Sequence, residues 1–113
     1  MDTKTLSLPK LNRLSPNLES TALKLMEEAG ELAQAIGKYR GLSGEKICFD
    51  EDTVIKEIAK ELLDVAQTAI TMMFVMEEDF GVDVDSLLRE HWAKLERKGY
   101  LEIDYSNNLP HIK

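Results

Sequence analysis

Four acidic side chains occur as two pairs, and the members of each pair are three residues apart. Glu28 and Glu31 form the first pair, and Glu61 and Asp64 form the second. Residues three apart on a helix are neighbours, with Cβ atoms about 5–6 Å apart, so each pair would present two carboxylates together. Carboxylates without Cys or His beside them suit hard ions such as Mg²⁺ or Mn²⁺. The spacing predicts a metal site wherever two helices bring the pairs together.

Two apolar stripes predict the helices that carry these pairs. The first stripe consists of Leu18, Ala22, Leu25, Ala29, Leu32 and Ile36. The second stripe consists of Ile55, Ile58, Leu62, Val65, Ala69, Met72 and Met76. Because each acidic pair flanks one stripe, packing of the stripes would place all four carboxylates at the edge of the core. Such a cluster would repel itself unless cations lay between its members.

Capping and turn residues divide the chain into three predicted helices, at about 16–39, 53–80 and 84–98. Ser15 and Pro16 suit the N-cap and the first helical position of the first helix. The predicted caps of the other two are Asp52 or Thr53 and Asp83 or Asp85. Residues 100–113 are predicted to be an extended tail. No segment alternates as a strand does, so we expect a single all-α domain over residues 1–113.

The composition and charge of the chain limit the classes of partner and of site that it can have. The 113 residues suit one domain, and 43% apolar with 31% charged residues is typical of a globular protein. The formal charge is −7, from 14 basic and 21 acidic residues, which argues against partners such as nucleic acid or an anionic membrane. Cys48 is the only cysteine, so neither an intrachain disulfide nor a cysteine zinc site is expected. With no signal peptide or membrane span in the sequence, we expect a cytoplasmic protein.

Small residues on or beside both stripes favour assembly with further copies of the chain. The residues that would let helix backbones approach closely are Ala22, Ala29, Ala66 and Ala69. Two long striped helices have more apolar surface than a lone hairpin covers. We therefore expect a helical bundle that is completed by oligomerisation, as a homodimer or a homotetramer.

The segment Lys24-Leu-x-Glu-Glu-x-Gly-Glu-Leu32, followed by Glu61-x-x-Asp64, resembles the signature of the MazG-like all-α nucleoside triphosphate pyrophosphohydrolases. The resemblance extends from about Ser15 to Tyr100. It implies hydrolysis of a nucleoside triphosphate to a monophosphate and pyrophosphate, as in the clearance of unwanted nucleotides. It also implies a magnesium-binding role for Glu28, Glu31, Glu61 and Asp64. Glu27 matches an acid that orients or deprotonates the attacking water.

Two features depart from the pattern of that family. The gap between the pairs, Leu32 to Lys60, is 29 residues and is long for the family. Val65 follows Asp64, where the dimeric dUTPase branch often has Asn. The base and sugar of the substrate are therefore left open by the sequence.

Cationic and aromatic residues are candidates for contacts with the nucleotide. The resemblance favours Lys24, Lys94 and Lys98 as phosphate contacts. The alternative for Lys94 and Lys98 is favourable placement of charge at a helix C-terminus. Trp92 and Tyr100 are candidates for stacking on a base, although large aromatic residues near a helix end are more often packing residues.

Two other classes of function compete with the pyrophosphohydrolase. A di-iron or di-manganese carboxylate bundle normally needs Glu-x-x-His on two helices, and neither His91 nor His111 has Glu three residues before it. The chain could instead be a nonenzymatic helical interaction module, in which the acidic pairs would be ordinary surface residues without a metal. Binding of a divalent metal would separate this module from both enzymes.

Overall fold

The computed structural model describes residues 1–41 and 50–104 and contains three helices: α1 Leu18–Tyr39, α2 Glu51–Phe80 and α3 Val84–Arg97. Within these ranges there is no strand, and the all-α prediction is confirmed. Cys48 and most of the predicted tail lie outside the described residues. None of the helices in the described ranges is long and apolar enough to cross a bilayer.

Helix α1 begins two residues later than the sequence predicted. Asn17, not Ser15, is the N-cap, and its side-chain oxygen accepts a hydrogen bond from the Ser20 backbone N–H at 2.7 Å. The Ser20 hydroxyl in turn accepts one from the Asn17 N–H at 2.9 Å. This reciprocal capping box satisfies two N–H groups that a helix start leaves open, which Ser15 with Pro16 at the first position would not do.

The other helix boundaries follow the same local rules. Asp50, whose carbonyl accepts the Val54 N–H at 3.2 Å, directly precedes α2, so the predicted caps Asp52 and Thr53 lie inside the helix. Asp83 caps α3, as predicted, by accepting from the Ser86 N–H at 3.1 Å.

Helix α3 ends at Arg97, and Gly99, directly after the C-cap Lys98, has a left-handed φ of 79°. The Gly99 N–H donates to the Glu96 carbonyl and the Tyr100 N–H to the Leu95 carbonyl, both at 3.0 Å. This pair of bonds is the Schellman arrangement, in which glycine adopts the left-handed conformation at little steric cost.

The described chain forms two compact units. One contains residues 8–76, with α1 and most of α2. The other contains residues 1–7 and 77–104 of the described chain, with the last turn of α2 and all of α3. In the first unit, α1 and α2 are antiparallel: one cavity joins Lys38 to Thr53, and another joins Thr21 to Thr71.

The contact between α1 and α2 does not follow the predicted apolar stripes. The least exposed residues of α1 are Thr21 and Glu28, while Ala22, Ala29 and Ile36 of the predicted stripe are exposed. Among the described residues, the only buried apolar side chains are Val54, Val75 and Ile103. The apolar spacing identified the helices correctly, but the residues that face the neighbouring helix include polar ones.

Candidate metal centre

Glu28 lies on the face of α1 that packs against α2, and only 6% of its surface is exposed. Thr21 lies two turns earlier on the same face, and its hydroxyl donates to the carbonyls of Asn17 and Leu18. The threonine is thus satisfied by its own helix. Glu28 has a partner on its own helix only at Oε1, which the Lys24 ammonium contacts, so the burial of Oε2 needs another source of compensation.

Three carboxylates converge between the two helices. Ligand oxygens of Glu28, Glu31 and Glu61 all lie within 4.8 Å of one another. The Oε2 atoms of Glu28 and Glu61 are buried and have no hydrogen-bond partner among the residues that the structure describes. Buried polar atoms without partners are rare in folded proteins because each one costs free energy. A divalent cation between these oxygens would supply the missing partners, so the donor set fits a hard metal ion.

The pKa of Glu61 also reflects burial and the crowding of negative charge in the cluster. Burial, together with the negative charges of Glu31, Asp64 and Glu28, raises the pKa of the Glu61 carboxyl above its ordinary value. Carboxylates held this close cannot all be ionised at low cost without a cation.

One protein cation compensates part of this charge. The Lys24 ammonium lies 3.1 Å from Glu28 Oε1, one helical turn away on α1. The hydrogen bond and the charge of Glu28 raise the pKa of Lys24 above its ordinary value. Lys24 also lies 3.7 Å from Glu27 Oε2. Since it contacts only one oxygen of Glu28, it leaves the buried Oε2 unpaired.

The fourth predicted ligand lies beside the cluster. Asp64 is exposed and is not one of the three converging carboxylates, although it is close enough to contribute to the raised pKa of Glu61. Asp64 and Glu28 line the same cavity. The geometry thus joins three of the four predicted ligands directly and places the fourth at the adjoining cavity wall.

Glu27, the predicted catalytic acid, is accessible to water, with 66% of its side chain exposed. It lies outside the three converging carboxylates, and Lys24 bridges it to Glu28.

A model of the MazG nucleotide pyrophosphohydrolase domain matches residues 16–99 of the chain. The chain belongs to the MazG family. The match includes both acidic pairs and all three helices, and it confirms the resemblance inferred from the sequence. No curated protein and no solved structure matches the chain.

The MazG domain also contains a cavity that the sequence did not predict. It has a volume of about 620 Å³ and lies beside the cluster. It is lined by Glu31, Gln34, Ala35, Lys38, Thr53, Val54, Glu57 and Glu61. Lys38 lies seven residues after Glu31, which is two helical turns, so both side chains are on the same face of α1. This spacing could have identified Lys38 as a neighbour of the acidic pair from the sequence. Lys38 makes no ion pair with any residue that the structure describes.

The remaining predicted contacts belong to the second unit of the MazG domain. Lys94 lies in the last turn of α3 and Lys98 is its C-cap, where both suit the helix dipole. Trp92 is half-buried on α3, and Tyr100 is exposed just beyond it. Their roles toward a nucleotide stay predictions.

Proposed function

We propose that the protein is a metal-dependent nucleoside triphosphate pyrophosphohydrolase that converts a (deoxy)nucleoside triphosphate to the monophosphate and pyrophosphate. The convergence of Glu28, Glu31 and Glu61 in a MazG domain, with two buried oxygens that lack partners, carries this proposal. Acidic residues that only keep a protein surface hydrated are exposed to water, whereas these carboxylate oxygens are buried without partners.

Glu28, Glu31, Glu61 and Asp64 are the proposed ligands of Mg²⁺, with Mn²⁺ as an alternative ion. All four offer oxygen, which both ions prefer. When bound, the metal neutralises charge on the triphosphate and on its transition state. Asp64, at the wall of the adjoining cavity, would complete the set of carboxylates that hold the ion.

Glu27 is the proposed catalytic residue. Its exposed carboxylate accepts a proton from a water molecule, and the water oxygen then bonds to the α-phosphorus. The bond from the α-phosphorus to the bridging oxygen breaks, and pyrophosphate leaves with that bond's electron pair. Lys24, which contacts Glu27 and Glu28, holds both acids in place and contributes positive charge near the phosphates.

The substrate contacts outside this helix pair are also proposals. Lys94 and Lys98 are assigned to the phosphates, and Trp92 and Tyr100 to the base. A role in removing unwanted nucleotides from the cytoplasm would suit a MazG domain. The acidic surface, with a formal charge of −7, disfavours nucleic acid and anionic membranes as partners.

Hydrolysis in ¹⁸O-labelled water tests the bond that breaks. With Mg²⁺ and a mixture of canonical nucleoside triphosphates, the label should enter the nucleoside monophosphate and be absent from pyrophosphate. Release of orthophosphate and a nucleoside diphosphate would instead identify an ordinary triphosphatase and would refute the mechanism.

A nonenzymatic interaction module is the second candidate, and the exposed apolar residues of α1 favour it: Leu23 is 68% exposed and Met26 is 73% exposed. Calorimetric titration with Mg²⁺ separates the two functions. The enzyme should bind the ion and lose that binding in Glu28→Gln, whereas a module without a metal site should release or absorb no heat of binding.

A further inference from the structure

A second cavity, of about 420 Å³, adjoins the acidic cluster on the side opposite Lys38. Residues 8–16, which we call the N-terminal strap, form one wall, and α1 and α2 form the others. It is lined by Leu11, Leu14, Ser15, Pro16, Ser20, Thr21, Lys24, Glu28, Asp64, Gln67, Thr68 and Thr71. The volume is within the range of about 300–1,000 Å³ that is usual for small-molecule sites.

The side chain of Gln67, on α2, binds the strap through a hydrogen bond. Its side-chain amide donates to the Pro9 carbonyl at 2.9 Å and to the Thr71 hydroxyl oxygen at 3.3 Å. The Lys10 ammonium lies over the Phe74 ring, 5.9 Å from its centroid, and adds a second contact between strap and helix. The strap is therefore held against α2 at its start and continues into the capping box of α1 at its end.

The chemistry of this cavity changes from one end to the other. Leu11, Leu14 and Pro16 form an apolar wall, and Leu14 is 65% exposed although its side chain is wholly hydrophobic. Glu28, with its unpaired buried oxygen, and Asp64 line the other end. A ligand that suits both ends has a largely apolar part and an anionic part that a cation can bind.

The lining of this cavity offers little positive charge to a polyphosphate chain. Lys24 is the only Lys or Arg in the lining, and it already contacts Glu28 at 3.1 Å and Glu27 at 3.7 Å. The hydroxyl protons of Thr21 and Thr68 are donated to backbone carbonyls. These features favour an uncharged base and sugar over phosphates along the apolar wall.

We propose that the cavity beneath the N-terminal strap binds the nucleoside part of the substrate, with Leu11, Leu14 and Pro16 against the base and Gln67 as the positioning residue that holds the strap. This site for the base is the alternative to Trp92 and Tyr100. The proposal rests on the proposed function, because the α-phosphate of that nucleotide must reach the acidic cluster. Burial of Leu14 against the base supplies apolar binding energy that pyrophosphate alone cannot gain.

Calorimetry with two probes in the presence of Mg²⁺ tests the proposal. The probes are the four deoxynucleoside α,β-imidotriphosphates, which resist cleavage of the relevant bond, and inorganic tripolyphosphate, which has no nucleoside. Gln67→Leu and Leu14→Ser should each weaken binding of at least one of the imido nucleotides by about tenfold and leave tripolyphosphate binding unchanged. Leu14 is already exposed, so Leu14→Ser should fold normally. Gln34→Leu, in the opposite cavity, is the matched control and should leave nucleotide binding unchanged.

Trypsin cleavage after Lys10 and Arg13 gives an independent readout of the strap. In the wild type, an imido nucleotide should slow cleavage at these sites and tripolyphosphate should not, while Gln67→Leu should be cleaved faster without ligand. The proposal would be overturned if the strap variants lost binding of both probes equally, or if both kept wild-type nucleotide binding. A tenfold effect of Gln34→Leu on nucleotide binding would also overturn it. Wild-type binding of tripolyphosphate alone would refute the nucleoside cavity and leave the metal site intact. Binding of neither probe would refute the proposed function as well.

Discussion

At the scale of single residues, the cluster gathers the like charges of Glu31 and Glu61 around the buried Glu28. Lys24 compensates one oxygen of Glu28, and the buried Oε2 atoms of Glu28 and Glu61 have no partner. Functional sites commonly accept such a cost because the charges are needed when a ligand binds. The cluster should therefore be a source of instability in the metal-free protein and of stability in the metal-bound one.

Removal of single ligands should separate activity from folding. Glu28→Ala, Glu31→Ala, Glu61→Ala and Asp64→Ala should each lower kcat/KM by more than about 100-fold, since changes even to groups behind metal ligands cost about 10–100-fold. Each variant should retain the helical circular dichroism of the wild type. Two or more variants with wild-type turnover would show that the ligand assignment is wrong.

Glu61→Gln should raise the thermal stability of the metal-free protein, because it removes a charge that its neighbours oppose. The pKa of Glu61 is raised in the folded state, so the protonated carboxyl stabilises the fold at low pH. That contribution is lost as pH rises through the raised pKa. In a chelator, the wild type should thus lose stability relative to Glu61→Gln over this pH range. Glu57→Gln, which alters an acid paired with Lys60, is the control and should show no such divergence.

At the scale of the helices, local hydrogen bonds decide where each element begins and ends. The capping box of Asn17 with Ser20 starts α1, and this start fixes where the strap meets the helix. Asn17→Ala should lower the free energy of unfolding by about 1 kcal/mol. Urea denaturation would measure the loss, with Asn12→Ala, an exposed asparagine before the helix, as the control. An unchanged midpoint in Asn17→Ala would mean that the capping box contributes nothing to stability.

At the scale of the whole molecule, the described chain buries little apolar surface by itself. Val54, Val75 and Ile103 are its only buried apolar residues, whereas Leu23, Met26 and other large apolar side chains are exposed. Exposed apolar surface of this extent is typical of a protein that associates. We therefore propose that a second copy covers the outer faces of α1 and α2.

Sedimentation at micromolar concentration should give at least twice the 12.8 kDa mass of one chain. Leu23→Glu places a charge on the exposed apolar side of α1 and should shift the protein toward the monomer. Lys4→Glu, an exposed charge substitution outside α1 and α2, should leave the association intact. A stable, well-folded wild-type monomer would contradict the proposed assembly.

The sequence alone determined the helices, the pairing of the acids and the family. Apolar residues at spacings of three and four specify a helix whatever it packs against, and acids three apart must be neighbours on it. Asp83 and Gly99 also determined the ends of α3 locally, because caps act through bonds within a few residues.

Only the tertiary structure decided which faces are buried. The sequence placed Glu28 at the edge of an apolar core, but the structure buries it, while Ala22 and Ile36 are exposed. The rotation of a helix about its axis depends on packing with residues distant in sequence, and a stripe flanked by small residues leaves several rotations open. The contact of Gln67 with Pro9, 58 residues away, depends on the same packing and has no local signature. The position of the acids along each helix was thus determined by sequence, and their burial by the packing of one helix on the other.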